Sequence, residues 1–200
     1  MLLLSPGRPL TRRRSVANIR IISGIFGGRK IDAPDFSNSR TKPMGERIRN
    51  AMFNKIGSEI QGARVLDAFA GTGSVGLEAL SRGATHVTFV ERDKIAQKIL
   101  AKNIALLGCE NSVEIVRTSV SNWLETANIE NYDIILADPP YHDPQFSTVE
   151  KLLGLLKPNA LMILSSPGRG EGPNLANTGI VVVDNRSYGN ALLTSFRREH

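Results

Sequence analysis

Cysteine is nearly absent. Cys109 is the single one in 200 residues, which excludes an internal disulfide framework and any cysteine cluster that could hold zinc or iron–sulfur. Long apolar runs are missing too: "ALMIL" at Ala160 to Leu164 and "GIVVV" at Gly179 to Val183 fall far short of the roughly 20 residues that cross a bilayer. A protein without membrane spans, in a reducing compartment such as the cytoplasm, is expected. Acids are scarce at one end. Residues 1–60 carry twelve Lys or Arg against four Asp or Glu, while residues 61–200 carry thirteen against fifteen. The excess positive charge sits in the N-terminal part and suggests an arm that meets a polyanion, most simply nucleic acid, beside a near-neutral body.

The length, at 41% hydrophobic residues, fits one globular domain with a small appendage. Residues 1–18, "MLLLSPGRPLTRRRSVAN", hold three consecutive arginines and no acid. Pro6, Gly7 and Pro9 oppose the amphipathic helix of a transit peptide, and Leu2 to Leu4 are too few for a secretory signal. A disordered basic tail is expected, with Arg12 to Arg14 adding only nonspecific attraction. From Ile19, "IRIISGIFGGRKIDAP" alternates around Gly24, Gly27 and Gly28 and predicts a short hairpin that Pro34 ends. Met44, Ile48, Met52 and Ile56 then recur every four residues, predicting an amphipathic helix with Arg47, Arg49, Asn50 and Asn54 on its other faces. Residues 19–60 form the expected nucleic-acid-binding extension, and residues 61–200 the body.

The body alternates strands and helices. "RVLDAFAG" reads as a strand ending in a glycine turn, "SVGLEALSRG" as a helix, "HVTFVE" as the next strand, and Asp93 as the cap of a helix from Lys94 to Leu107 closed by Gly108. "VEIV", a short helical piece near Val120 to Glu125, "YDIILAD" and "ALMILSS" follow. "GIVVVDN" and "NALLTSF", joined at "RSYG", are too close for a helical crossover and must pair antiparallel. The expectation is an α/β fold with a doubly wound, mostly parallel, seven-stranded Rossmann-like sheet ending in an antiparallel C-terminal hairpin.

Two motifs carry chemistry. "GTGSVG" at Gly71 to Gly76, with Glu91 ending the next strand, matches a dinucleotide fingerprint. Its physical content is narrower: a close backbone approach, a helix N-terminus for an anionic group, and a carboxylate for ribose hydroxyls. NAD and S-adenosylmethionine both satisfy that. Asp67, four residues before Gly71, favours S-adenosylmethionine, because a carboxylate there attracts an amino group and a sulfonium and repels a pyrophosphate. The second motif is Asp138, Pro139, Pro140 and Tyr141, placed by the strand "YDIILAD" on the same sheet edge. The prolines stiffen a turn rich in acceptors. If Asp138 and the Pro139 carbonyl accept the two hydrogens of a nucleobase exocyclic amine, its nitrogen can pyramidalise toward the sulfonium methyl. Tyr141 would stack on the unstacked or flipped base.

With these residues in hand, "DAFAGTGSVGLEALSRGA", "ERD", "ADPPY", "RIISGIFGGRKI" and "ERIRNAMFN" resemble the bacterial 16S ribosomal RNA guanine-966 N2-methyltransferases, over about Ile19 to Arg197. The resemblance implies a class I methyltransferase fold and S-adenosylmethionine as cofactor. It implies that Asp67, Phe69, Gly71 and Gly73 line the cofactor site, that Glu91 takes the ribose, and that Ser119 faces the adenine. It also implies that Asp138 to Tyr141 receive a guanine of small-subunit ribosomal RNA, or of an assembling small-subunit particle. Arg20, Arg29, Lys30, Lys42, Arg47 and Arg49 would grip the RNA, with the protein acting as a monomer and without metal. The chain departs from the family in Lys42-Pro43-Met44, where Arg-Pro-Thr is common, and at Asn50, where a Glu is common.

Three rivals stand beside this reading: a DNA adenine amino-methyltransferase, a nicotinamide-dependent dehydrogenase, and a non-catalytic RNA-binding assembly factor. Cys109 reads as a core thiol rather than a nucleophile. His142, beside Tyr141, reads as an uncommitted loop histidine, His86 and His200 have no partners suggesting metal, and Trp123 and Phe89 read as core.

Overall fold

The computed structural model describes residues 17–34, 43–126, 132–168, 172–176 and 178–199. Up to residue 16, the expected basic tail lies outside the described residues, and its last two residues, Ala17 and Asn18, belong instead to a strand paired with Ala33 and Asp32. Strand β1 (Ala17–Arg20) pairs antiparallel with β2 (Lys30–Ala33) as the alternation predicted. Helix α1 (Glu46–Ile56) follows. The body then runs β3 (Arg64–Asp67), α2 (Ser74–Ser81), β4 (His86–Val90), α3 (Lys94–Leu107), β5 (Val113–Val116), α4 (Val120–Thr126) and β6 (Tyr132–Ala137). It closes with α5 (Phe146–Leu153), β7 (Leu156–Pro167), β8 (Ile180–Tyr188) and β9 (Ala191–Arg198).

The seven body strands form one sheet in the order β5-β4-β3-β6-β7-β9-β8. The first five are parallel, and β9 inserts antiparallel between β7 and β8. Strand order reverses around β3, which has β4 on one side and β6 on the other. A ligand crevice is built at such a reversal, outside the carboxyl ends of the strands. Asp67 is the last residue of β3, and Glu91 and Asp138 directly follow the last residues of β4 and β6. The expected cap of α3 is present: Asp93 Oδ1 accepts the Ile95 and Ala96 N–H groups at 3.0 and 2.7 Å.

Several boundaries differ from the sequence reading. β7 begins at Leu156 rather than Ala160, and β8 continues through Arg186 to Tyr188. Helix α5 was not anticipated. Its apolar residues Val149, Leu152 and Leu153 run straight into Leu155 and Leu156, all buried, so the switch from helix to strand leaves no break in the hydrophobic pattern.

The N-terminal hairpin is built into the body. Ile21, Ile31, Met52, Phe53 and Ile56 share one core with Val65, Leu77 and Phe89. The hairpin bend lies so close to α2 that a Cβ on Gly24, at φ +82°, would stand 1.7 Å from the Ser81 carbonyl oxygen. Only glycine permits the contact. Polar ties complete the docking. Glu78 in α2 accepts the Ile22 and Ser23 N–H groups at 2.7 and 3.1 Å. Asn103 in α3 accepts from Asp32 N–H at 2.8 Å and donates to the carbonyls of Asp32 and Thr72, both at 2.9 Å. One buried amide therefore joins the hairpin to the glycine turn.

Candidate active site

The glycine turn is stitched between its neighbours. Ala68 N–H donates to the Leu136 carbonyl and Ala70 N–H to the Val90 carbonyl, holding the segment after β3 against β6 and β4. Gly71 and Gly73 both have positive φ, and Gly73 caps α2. Gly76 owes its identity to packing, since a Cβ there would stand 2.3 Å from the Phe89 ring and 2.9 Å from Asp67 Oδ2. Phe89 is thus the floor of the turn and a core residue, as expected. Phe69 is partly buried against the neighbouring core cluster.

Asp67 is buried, and its Oδ2 accepts the Gly76 N–H at 2.8 Å. The sequence reading gave this carboxylate only a ligand-facing role, whereas it also anchors the first turn of α2. Burial pushes its carboxyl up to about 7 against the pull of the Gly76 N–H, and the charges of Asp138 and Glu91 add to the rise. Glu91 accepts Gly71 N–H on Oε2 at 2.7 Å and Asp93 N–H on Oε1 at 2.6 Å. Each oxygen keeps lone pairs for the hydroxyls of a ribose. Ser119 Oγ accepts the Asn122 N–H at 3.2 Å and stands 3.1 Å from Ser121 Oγ, so the residue assigned to the adenine serves as a local cap at the start of α4.

The folded state protonates Asp67 at a higher pH than the unfolded chain, whose carboxyl stays near its ordinary 3.8. Between those values the folded form holds more protons, so this group's contribution to stability is fully present below about pH 4 and is lost as pH rises through about 7. Asp138 has the same sign. Thermal midpoints of the ligand-free protein across pH 4.5 to 8 are expected to show Asp67→Asn losing less stability than the parent on the alkaline side. Parallel curves would refute the assignment.

The second half of the site is the turn after β6. Register pairs Ala137 with Leu164, so the next residues, Asp138 and Ser165, are neighbours. The Ser165 hydroxyl lies 2.9 Å from Tyr141 Oη and stands beside the Asp138 carboxyl, where it favours the ionised form. Burial pushes Asp138 up to about 6, with the Ser165 hydroxyl opposing the rise. Both prolyl bonds are trans, and the Pro140 carbonyl accepts Asp143 N–H at 2.8 Å. That narrows the acceptors expected of this turn, because the Pro140 oxygen is engaged locally.

Comparison with known proteins gives this site its relatives. The profile of the family described as "Conserved hypothetical protein 95" matches residues 19–197. The chain belongs to that family. It is similar to Ribosomal RNA small subunit methyltransferase D of Haemophilus influenzae, with 36% identity over 156 residues, 74% of this chain and 78% of that one. The protein of the same name from Buchnera aphidicola is 41% identical over 144 residues, 72% of each chain. The solved structure of yhhF from Escherichia coli has a TM-score of 0.79 at 30% identity, covering 92% of this chain and 99% of that one.

The basic residues assigned to RNA fare unequally in this family member. Lys30 and Arg47 are exposed on the hairpin and α1. Arg20 is exposed and paired with Glu46 at 2.6 Å. Arg29 lies over the Phe26 ring and donates to the Leu106 carbonyl. Lys42 lies outside the described residues. Arg49 is a correction: it is 1% exposed, donates to the carbonyls of Met44 and Arg20, and has Nε 3.8 Å from Glu78 Oε2. It is a buried strut and cannot reach a polyanion.

The signal was in the sequence, because Arg49, Met52, Phe53 and Ile56 follow the helical spacing i, i+3, i+4, i+7, which is the buried face. Ser165, Glu78 and Asn103 were missed. Apart from Arg82, which reaches Glu78 from four residues away, the partners named lie 24 to 71 residues distant, and no local spacing connects them. Among the described residues no helix is long and apolar enough to cross a membrane, and no group of three His, Cys, Asp or Glu is placed to hold a metal ion.

Proposed function

We propose that the protein transfers a methyl group from S-adenosylmethionine to the exocyclic N2 of a guanine in small-subunit ribosomal RNA, as a monomer acting in the cytoplasm on RNA or an assembling particle. The observation that carries this reading is the meeting of an acceptor turn, Asp138 to Tyr141, with a glycine turn flanked by Asp67 and Glu91. Three carboxylates at one sheet edge, each close enough to Asp67 to be Asp67 itself or to raise its protonation range, favour a cationic ligand. The ammonium and sulfonium of S-adenosylmethionine meet that requirement, and a pyrophosphate does not.

The residues would act as follows. Asp67 anchors the turn and biases the site toward positive charge, and Glu91 receives the ribose hydroxyls. The Asp138 carboxylate, with its carboxyl at about 6, is ionised at neutral pH and accepts one amine hydrogen, while the Pro139 carbonyl accepts the other. The nitrogen lone pair, withdrawn from the ring, attacks the methyl carbon in line. The carbon–sulfur bond breaks, its electron pair stays on sulfur, and the product is a thioether. The methylated nitrogen then loses its extra proton to Asp138 or to water. Positioning of this kind supplies much of the rate in a displacement between bound partners.

The deciding experiment is mass-spectrometric mapping of ribosomal RNA from cells with and without the protein. One N2-methylguanine should disappear from the small-subunit RNA, and unchanged RNA would overturn the proposal. Methyl transfer to duplex DNA in preference to ribosomal RNA would select the adenine-methyltransferase rival.

A further inference from the structure

Strand β7 brings a single hydroxyl to both ends of the Asp138–Tyr141 turn. Ser165 is fully buried. The parallel register that pairs Ala137 with Leu164 sets it beside Asp138, and the turn folds Tyr141 back until Oη lies 2.9 Å from its Oγ. A serine hydroxyl has one proton and two lone pairs, and an ionised carboxylate only accepts. Where the Ser165 proton serves the neighbouring Asp138 carboxylate, Tyr141 is left to donate to Ser165 across the 2.9 Å contact. The direction of the chain follows from the chemistry of its end.

We propose that Ser165 is a positioning residue for methyl transfer. Its hydroxyl ties the Tyr141 phenol and one oxygen of Asp138 into a single chain, leaving the other oxygen to the target amine and setting the plane against which the base stacks. The inference rests on the reading of Asp138 as the amine acceptor. Around Asp138, Asp67 comes from the end of β3 and Tyr141 from the turn, and Glu91 from the end of β4 acts on Asp67. None of them supplies positive charge. The Ser165 proton therefore opposes the burial that raises the Asp138 carboxyl, and a hydrogen bond to the charged form favours ionisation.

The test is the pH profile of single-turnover methyl transfer to ribosomal RNA. In Ser165→Ala the acid limb should move about one pH unit to the alkaline side, so that the rate falls roughly fivefold at pH 6 and approaches a tenfold loss at about pH 5, while the rate above pH 8 changes far less. Ser165→Thr keeps the hydroxyl and should restore the parent limb. Tyr141→Phe keeps the Ser165 donation and should lower the rate by one factor at every pH. A Ser165→Ala limb that coincides with the parent, in a background where Asp138→Ala is inactive, overturns the role of Ser165. Full activity of Asp138→Ala would instead overturn the acceptor reading on which it rests.

Discussion

Asp138→Ala is expected to lower the single-turnover rate of methyl transfer by about 100- to 1000-fold, the scale seen when one preorganised hydrogen-bonding group is removed from a reacting centre. The affinity for S-adenosylhomocysteine, measured by isothermal titration, should survive. The asymmetry follows from position. Asp138 lies on the turn after β6, whereas the cofactor contacts are assigned to the glycine turn and to Glu91, which Ala68, Ala70 and Gly71 fix through backbone bonds to β6, β4 and the Glu91 carboxylate. Without the carboxylate, the target amine keeps its lone pair in the ring, and Ser165 and Tyr141 lose the end of their hydrogen-bond chain. Asp138→Asn should lie between the two, because an amide oxygen still accepts but carries no charge. Equal rates in the parent and Asp138→Ala would sink the mechanism.

Glu78→Ala is expected to lower stability by about 3 to 5 kcal/mol, the cost of removing one partner from a buried ion pair. Glu78 has no solvent exposure. It accepts Ile22 N–H, Ser23 N–H and Arg82 Nε–H, and faces the buried Arg49. Alanine leaves two backbone donors and Arg82 Nε–H without their acceptor and the Arg49 guanidinium without its opposing charge. The two backbone donors belong to the hairpin and Arg49 to α1, so the docking of these elements on α2 should weaken first. Urea denaturation measures the loss, and RNA affinity should fall with it while S-adenosylhomocysteine binding persists through the separate Glu91 contacts. A loss below about 1 kcal/mol would show that apolar packing alone holds the hairpin. Burial already holds the Arg49 guanidinium below its usual range despite the nearby Glu78 charge, which marks Arg49 as the group most exposed to this loss.

The contrast between Arg47 and Arg49 shows where the sequence was legible and where it was misread. Both fall in a basic stretch, yet a rotation of two residues on one helix puts Arg47 in solvent and Arg49 in the core. Charge alone cannot separate them, but the helical period can. The glycine turn and the acid turn were legible because each is local: the glycines, Asp67, Glu91 and Asp138 lie at strand ends that alternating patterns reveal. Helix α5 was not, since its apolar residues merge with those of β7.

From the sequence alone follow the parallel core strands, the antiparallel C-terminal hairpin, the cap at Asp93 and the residue types of both turns. Each rests on neighbours in the chain, through side-chain period, turn chemistry or capping. Tertiary structure decided that β9 inserts between β7 and β8, that Glu78 and Asn103 fasten the hairpin, and that Ser165 joins Asp138 to Tyr141. Those depend on which strands and helices lie side by side, and that choice is made by burial across the whole core rather than by any local stretch.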